Sequence, residues 1–98
     1  MAEREITWSP GAKQDLKSIL NFYIERNGNT KFSTKLLIEI EKVVSSIKKF
    51  NESGKATSIS NVRVFIHHYY QIFYKLKESE IEILHVWDSR RNPEDLEF

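Results

Sequence analysis

The apolar positions of this chain change period as it proceeds. Glu5-Ile6-Thr7-Trp8 alternate polar and apolar and predict a short strand. Ser9-Pro10 then announces a helix. Serine is a strong N-cap, and proline is tolerated at the first helical position because its missing N–H has no intrahelical partner there anyway. Ala12, Leu16, Ile19, Leu20 and Tyr23 follow at spacings of three and four and make one apolar stripe. The helix is expected to stop around Arg26-Asn27-Gly28, with Gly28 supplying a left-handed cap. Asn29 or Thr30 caps a second helix, whose stripe is Phe32, Leu36, Ile40, Val43, Val44 and Ile47. Two amphipathic helices with so short a break between them predict an antiparallel hairpin.

From Asn51 to Ser60 the residues turn polar and small, and this reads as the longest loop. Beyond it the period becomes two. Val62, Val64 and Ile66 alternate with Arg63 and Phe65. A second strand carries Tyr70, Ile72, Tyr74 and Leu76 on one face and Gln71, Phe73 and Lys75 on the other. Lys77-Glu78-Ser79-Glu80 forms the turn into a third run, Ile81, Ile83, Leu84 and Val86. Its alternation slips at Ile83-Leu84, which implies a bulge or burial on both faces. The fold class is therefore α+β, with the order β-α-α-β-β-β: an N-terminal strand, a helix hairpin, and three antiparallel strands packed on the helices. All 98 residues read as one domain. The face turned away from the helices is expected to carry Arg63, Gln71 and Lys75.

Composition narrows the chemistry. There is no cysteine, which excludes disulfides, thiolate metal sites and a cysteine nucleophile. The charged N-terminus does not read as a signal peptide, and no run approaches the roughly 20 apolar residues of a membrane span. A cytoplasmic protein without membrane contact is the expectation. The net charge is only +1, but it is unevenly spread. Ser9–Phe50 holds eight Lys/Arg against four acids, whereas the last seven residues carry Glu94, Asp95 and Glu97 and no base. A basic body of this kind suits phosphate or an acidic partner as well as it suits a solvated helix face.

Several segments together resemble the RelE/ParE toxins of type II toxin–antitoxin (plasmid stabilisation) systems. They are Trp8-Ser9-Pro10-Gly11-Ala12 with Asp15-Leu16 and Ile19, then Val62-Arg63-Val64-Phe65 and Tyr70-Gln71-Ile72-Phe73-Tyr74. The last is Ile83-Leu84-His85-Val86-Trp87-Asp88-Ser89-Arg90-Arg91-Asn92-Pro93. The resemblance implies a bacterial toxin neutralised by a cognate antitoxin, whose otherwise disordered segment folds as it wraps the toxin. It also implies one of two activities. ParE-like members poison DNA gyrase and are not known as enzymes; RelE-like members are ribosome-dependent endoribonucleases that cut mRNA. A third alternative is an inactive member that keeps only antitoxin binding or a structural role.

For the RelE-like alternative, the resemblance makes Arg63 the catalytic arginine, with Arg90 or Arg91 as a second cation and His85 as a proton-transfer candidate. RNA cleavage needs a base, an acid and positive charge on the scissile phosphate. Lys55 falls loosely where some RelE-like members keep a basic residue. RelE-like nucleases commonly use a late tyrosine, yet no tyrosine follows Tyr74 here, and Phe98 lacks a hydroxyl. The ending in Arg-Arg-Asn-Pro resembles the ParE-like side, and the expected activity is gyrase poisoning. Under that reading Arg63, Tyr70, Arg90 and Arg91 are the candidates for binding target or antitoxin. The paired arginines are also candidates for holding the acidic tail through Glu94 or Asp95. Tyr69, Tyr70 and Tyr74 read mainly as core residues whose hydroxyls reach water. His67 and His68, adjacent in a strand, are expected on opposite faces and so unable to share a metal. His85 has no carboxylate at ligand spacing, and neither a metal nor a cofactor is expected.

Overall fold

A computed structural model describes residues 4–91 and residue 96. Its elements are β1 (Glu5–Trp8), α1 (Pro10–Asn27), α2 (Lys31–Lys49), β2 (Lys55–Ala56), β3 (Val62–His67), β4 (Tyr70–Leu76) and β5 (Glu80–Asp88). The predicted helix signals operate as read. The Ser9 hydroxyl accepts the Ala12 N–H at 3.0 Å, with Pro10 following it. Gly28 closes α1 in the left-handed region, at φ 70°, and its N–H reaches the Ile24 carbonyl at 2.9 Å. Thr30 occupies the N-cap position of α2 without a side-chain bond; the neighbouring Asn29 Oδ1 accepts the Lys31 N–H instead.

The strands form one sheet in the order β1-β5-β4-β3-β2. β1 lies parallel to β5, and every other neighbouring pair is antiparallel. The sheet thus has five strands where the periodicity implied an N-terminal strand and three more. The additional strand, β2, is two residues within the predicted loop. It pairs Lys55 with Val64 and Ala56 with Arg63. An edge pairing this short cannot leave an alternation pattern in the sequence. Both helices cover one face of the sheet. Leu36, Ile40, Val43, Val44 and Ile47 of α2 are buried against Tyr70, Ile72, Tyr74, Ile81, Ile83 and Val86. The α1 stripe contributes less: Ala12 is buried, but Leu16, Ile19, Leu20 and Tyr23 remain half-buried.

The assignment of faces on β3 needs correction. Arg63 pairs with Tyr74 and Phe65 with Ile72, so Arg63 shares the helix-side face with two core residues. Val62, Val64 and Ile66 face the other way, beside Lys75, Phe73 and Gln71. The outer face is also not purely polar. Val62, Phe73 and Trp87 are buried there, with Val64, Leu84 and Leu96 packed around them. Every side chain of a strand changes face with a one-residue shift in reading, and β3 has apolar residues in both phases.

The slip at Ile83-Leu84 is a bulge. Tyr74 pairs with Ile83 but Phe73 with His85, leaving Leu84 as an extra residue on β5. Backbone groups disturbed by a bulge need new partners, and the start of α1 provides them. Ser9 Oγ donates to the Leu84 carbonyl at 3.0 Å, and Asp15 Oδ2 accepts the Val86 N–H at 3.1 Å. The Ser9 cap is therefore also the tie between helix and sheet. No helix among the described residues is long and apolar enough to cross a membrane.

Candidate functional site

The residues singled out in the sequence fall into three separate places. Arg63 is bound to the loop after α2: its Nε donates to the Gly54 carbonyl at 2.9 Å and its Nη2 to the Glu52 carbonyl at 3.3 Å. Tyr74 belongs to the same bracket. Its hydroxyl donates to the Asn51 carbonyl at 2.8 Å and accepts the Gly54 N–H at 3.0 Å. Buried Tyr74 thus keeps its hydroxyl within the protein, not in water. Gly54 is required by the close approach, because a Cβ there would lie 2.8 Å from the Tyr74 hydroxyl and from the Val64 carbonyl oxygen. Lys55 sits exposed on the edge strand β2.

His85 is the second place. Its Nδ1 lies 2.9 Å from Asp15 Oδ2, so the bulge on β5 brings it to α1. It is two strands away from Arg63, on the order of 10 Å across the sheet. His67 and His68 are not on opposite faces of one strand. His68 begins the two-residue turn between β3 and β4 with φ 55°, and the two rings meet edge-on at 4.5 Å. His67 Nε2 lies 3.6 Å from Glu39 Oε2. Among the described residues no group of His, Asp or Glu is placed to hold a metal ion.

The third place is built around Arg90, where α1, the β3–β4 turn and the end of β5 meet. Asp88 holds the Arg90 guanidinium from two sides, Nε to Oδ1 at 2.9 Å and Nη2 to Oδ2 at 2.7 Å. Asp88 also accepts the Arg90 N–H through Oδ1, which fixes the turn that carries the arginine. On the helix side Arg90 Nη2 donates to the Tyr23 hydroxyl at 3.3 Å, and Tyr70 donates to the same oxygen at 3.4 Å. The guanidinium lies over the Tyr69 ring, 4.6 Å from its centroid. Arg91 takes the other direction and lies 4.5 Å from the centroid of the Trp87 ring.

These contacts perturb the acids and bases in consistent directions. The hydrogen bond from Arg90 holds the Asp88 carboxyl below its ordinary range, and that carboxylate raises Arg90 in turn. Tyr23 accepts from both Tyr70 and Arg90, which lowers its hydroxyl. Burial, followed by its donation to Tyr23, raises Tyr70. The Arg90 guanidinium is thus a permanently charged group in a fixed position, with its exposed side turned to solvent.

Two recesses adjoin it. One, of about 390 Å³, is lined by residues including Ile19, Phe22, Tyr23, Arg26, Asp88 and Arg91. The other, of about 280 Å³, includes Phe32, Lys35, Glu39, His68 and Tyr69; both are bounded by Tyr23, Tyr70 and Arg90. Phe22 and Tyr23 stack at 5.0 Å, and Tyr23 tilts against Phe32 at 4.5 Å. Arg90, Arg91 and Tyr70 come together here, whereas Arg63 and His85 do not. Sequence reasoning placed Tyr23 and Phe32 only in the helix stripes and gave no site role to Tyr23, Asp88, Phe22 or Phe32. Two local signals do point to them: Asp88 stands two residues before Arg90, as an Asx turn requires, and Phe22 and Arg26 share a helix face. The expected bond between the paired arginines and Glu94 or Asp95 falls outside the described residues.

A family model, that of the ParE toxin of the type II toxin–antitoxin system parDE, matches residues 6–93. Solved structures share the fold. A chain of the chromosomal ParDE system from P. aeruginosa has 20% identity and a TM-score of 0.74, over 86% of this chain and 94% of that one. The YoeB dimer from Staphylococcus aureus matches with 20% identity and a TM-score of 0.60, over 87% and 95% of the two chains. The E. coli DinJ-YafQ toxin–antitoxin complex matches with 10% identity and a TM-score of 0.60, over 91% and 96%. No curated protein sequence matches the chain.

Proposed function

The chain belongs to the ParE toxin family of type II toxin–antitoxin systems, and from that membership we propose that it arrests growth by binding and poisoning DNA gyrase. In this reading a cognate antitoxin neutralises it, and the toxin acts as a binding protein, not as a nuclease. The observation that carries the proposal is the dispersal of the groups that RNA cleavage would have to combine. Tyr74, the partner of Arg63, pairs with Ile83 on β5, and Arg90 lies beyond Asp88 at the far end of that strand. The backbones of the two arginines are therefore on the order of 20 Å apart, from the strand spacing and the rise per residue.

The individual contacts support the same reading. Arg63 has two of its guanidinium nitrogens bonded to loop carbonyls, and the Nδ1 of His85 faces Asp15. A general base must lie within about 3 Å of the proton it takes, and a phosphate clamp must face the same point. Arg90, by contrast, is held rigidly by Asp88 and Tyr23 and leaves an exposed guanidinium beside exposed rings. Such an arrangement suits recognition of another macromolecule.

Expression of this chain without its antitoxin tests the proposal. The expected outcome is growth arrest with DNA breaks and an SOS response while mRNA stays intact. Codon-phased cuts in mRNA on translating ribosomes would overturn it in favour of the RelE-like alternative. Unimpaired growth would instead leave an inactive member that retains antitoxin binding.

A further inference from the structure

The segment that contains the helix hairpin, Ser9–Phe50, holds eight Lys/Arg against four acids, and the rest of the chain seven against ten. Within the hairpin this charge is concentrated along α2. Leu36, Ile40, Val43 and Ile47 lie on its buried side, while Lys31, Lys35, Ile38, Lys42 and Ser45 are exposed. At about 100° per residue, the exposed set falls within a stripe about 80° wide, opposite the buried one. Lys31, Lys35 and Lys42 therefore form a ridge that points away from the sheet, with rises of about 6 and 10 Å between successive lysines. Among the described residues, none of the three has a carboxylate at ion-pair distance. The two acids of α2 do not interrupt the ridge. Glu39 is half-buried and 3.6 Å from His67, and Glu41 lies about 100° around the helix from Lys42. Lys49 continues the row, but its ammonium lies over the Phe50 ring, 5.8 Å from the centroid. Leu96, near the acidic end of the chain, packs beside Val62, Phe73 and Trp87 on the opposite face of the sheet, so a helix layer about 10 Å thick separates it from the ridge.

We infer that this ridge is a sequence-independent contact for the phosphate backbone of duplex DNA. That the DNA is the duplex on which the topoisomerase acts is a step that rests on the gyrase reading above. Duplex DNA carries one charge per about 1.7 Å of its axis, so three ammonium groups spread over about 17 Å meet phosphates in any register. The ridge has no Arg, Asn or Gln to read base edges, and no aromatic ring to stack on an unpaired base. A helical protein partner needs apolar anchors repeated every three or four residues, and the ridge offers only Ile38. The excess of acids in the rest of the chain adds orientation, because a polyanion attracts the hairpin and repels the remainder.

The test is binding of the full chain to a random-sequence duplex of about 20 base pairs, followed by fluorescence anisotropy between about 50 and 200 mM salt. On a log–log plot the association constant of the parent is expected to fall with salt at a slope of about −3. Each of Lys31→Gln, Lys35→Gln and Lys42→Gln is expected to remove about 1 from that slope. The triple variant changes only exposed side chains, so it should melt like the parent while its affinity at low salt falls roughly tenfold or more. Ile38→Ser, and Lys75→Gln on the other face of the sheet, should leave affinity unchanged. No binding at low salt, unchanged affinity in the triple variant, or an equal loss from Lys75→Gln or Ile38→Ser would overturn the inference. Tighter binding to single-stranded RNA of the same length would do the same. In each of these cases, DNA breaks on expression of the parent would leave the gyrase reading standing. Ridge-dependent binding of the duplex, together with unbroken DNA in arrested cells, would overturn the gyrase reading and keep the DNA contact.

Discussion

Arginine and tyrosine occur together at two ends of the sheet, and the two ends have opposite characters. Around Gly54, Arg63 and Tyr74 direct their polar atoms at backbone carbonyls and one backbone N–H. Tyr74 is fully buried, and the loop after α2 is stitched to the sheet. Around Arg90, the same residue types bond to other side chains: Arg90 to Asp88 and Tyr23, Tyr70 to Tyr23. The guanidinium and the Tyr69 ring remain exposed. Polar groups consumed by backbone maintain the fold, because an unsatisfied buried backbone group is costly. Polar groups fixed by side chains and left open hold a surface in readiness for a partner. The contrast makes the Gly54 end a stability element, and the Arg90 end is the one we propose for recognition.

Substitutions at the two ends test that division. The largest effect is expected from Gly54→Ala, whose added methyl would meet the Tyr74 hydroxyl and the Val64 carbonyl at 2.8 Å. Overpacking of this kind should cost about 3 kcal/mol, and the melting temperature should fall by roughly 10 °C or more. Tyr74→Phe comes next. It leaves the Asn51 carbonyl and the Gly54 N–H without their shared partner, for a loss of about 2 kcal/mol in denaturant unfolding. Arg63→Ala removes two bonds to carbonyls from a half-buried position and should cost about 1 kcal/mol. A melting temperature unchanged by all three would abolish the distinction between the ends.

At the other end the melting temperature should barely move. Arg90→Ala is expected to leave thermal stability close to the parent while growth arrest on expression is relieved. A large fall in melting temperature with arrest intact would reverse the assignment. The smallest expected effect is a pH dependence. The hydrogen bond from Arg90 lowers the Asp88 carboxyl, so its stabilisation is fully present above the unfolded value of about 4 and is lost as pH falls through the folded value. Melting curves between pH 5 and pH 2 should therefore fall slightly more steeply for the parent than for Asp88→Asn. Equal slopes would show that the Asp88–Arg90 pair contributes nothing to the folded state.

Much of this architecture was legible in the sequence because it depends on local patterns. Ser9-Pro10 and Gly28 mark α1 through orphan backbone groups and a left-handed φ, both properties of a few adjacent residues. The stripe of α2 and the alternation of β4 report burial directly, because one side of each element meets the core. Even the slip at Ile83-Leu84 marks the bulge correctly. Legibility fails where the pattern is degenerate. β3 is apolar in both phases, and a second cluster on the outer face of the sheet, Val62, Phe73 and Trp87, accounts for it. Its periodicity alone therefore gave Arg63 the wrong face.

Chain order, helix limits, strand phase on β4 and the absence of thiol chemistry are properties of neighbouring residues, and the sequence determines them by itself. Which arginine meets which partner is decided by the tertiary structure. Tyr23 and Arg90 are far apart in the chain and meet only because α1 lies along β5. Arg63 is withdrawn from the outer face only because register pairs it with Tyr74 and the Asn51–Gly54 loop folds over both. The physical reason is range. Propensity and capping act over a few residues, whereas an ion pair or a hydrogen bond between side chains requires two distant segments to be held within about 3 Å by the packing of everything between them.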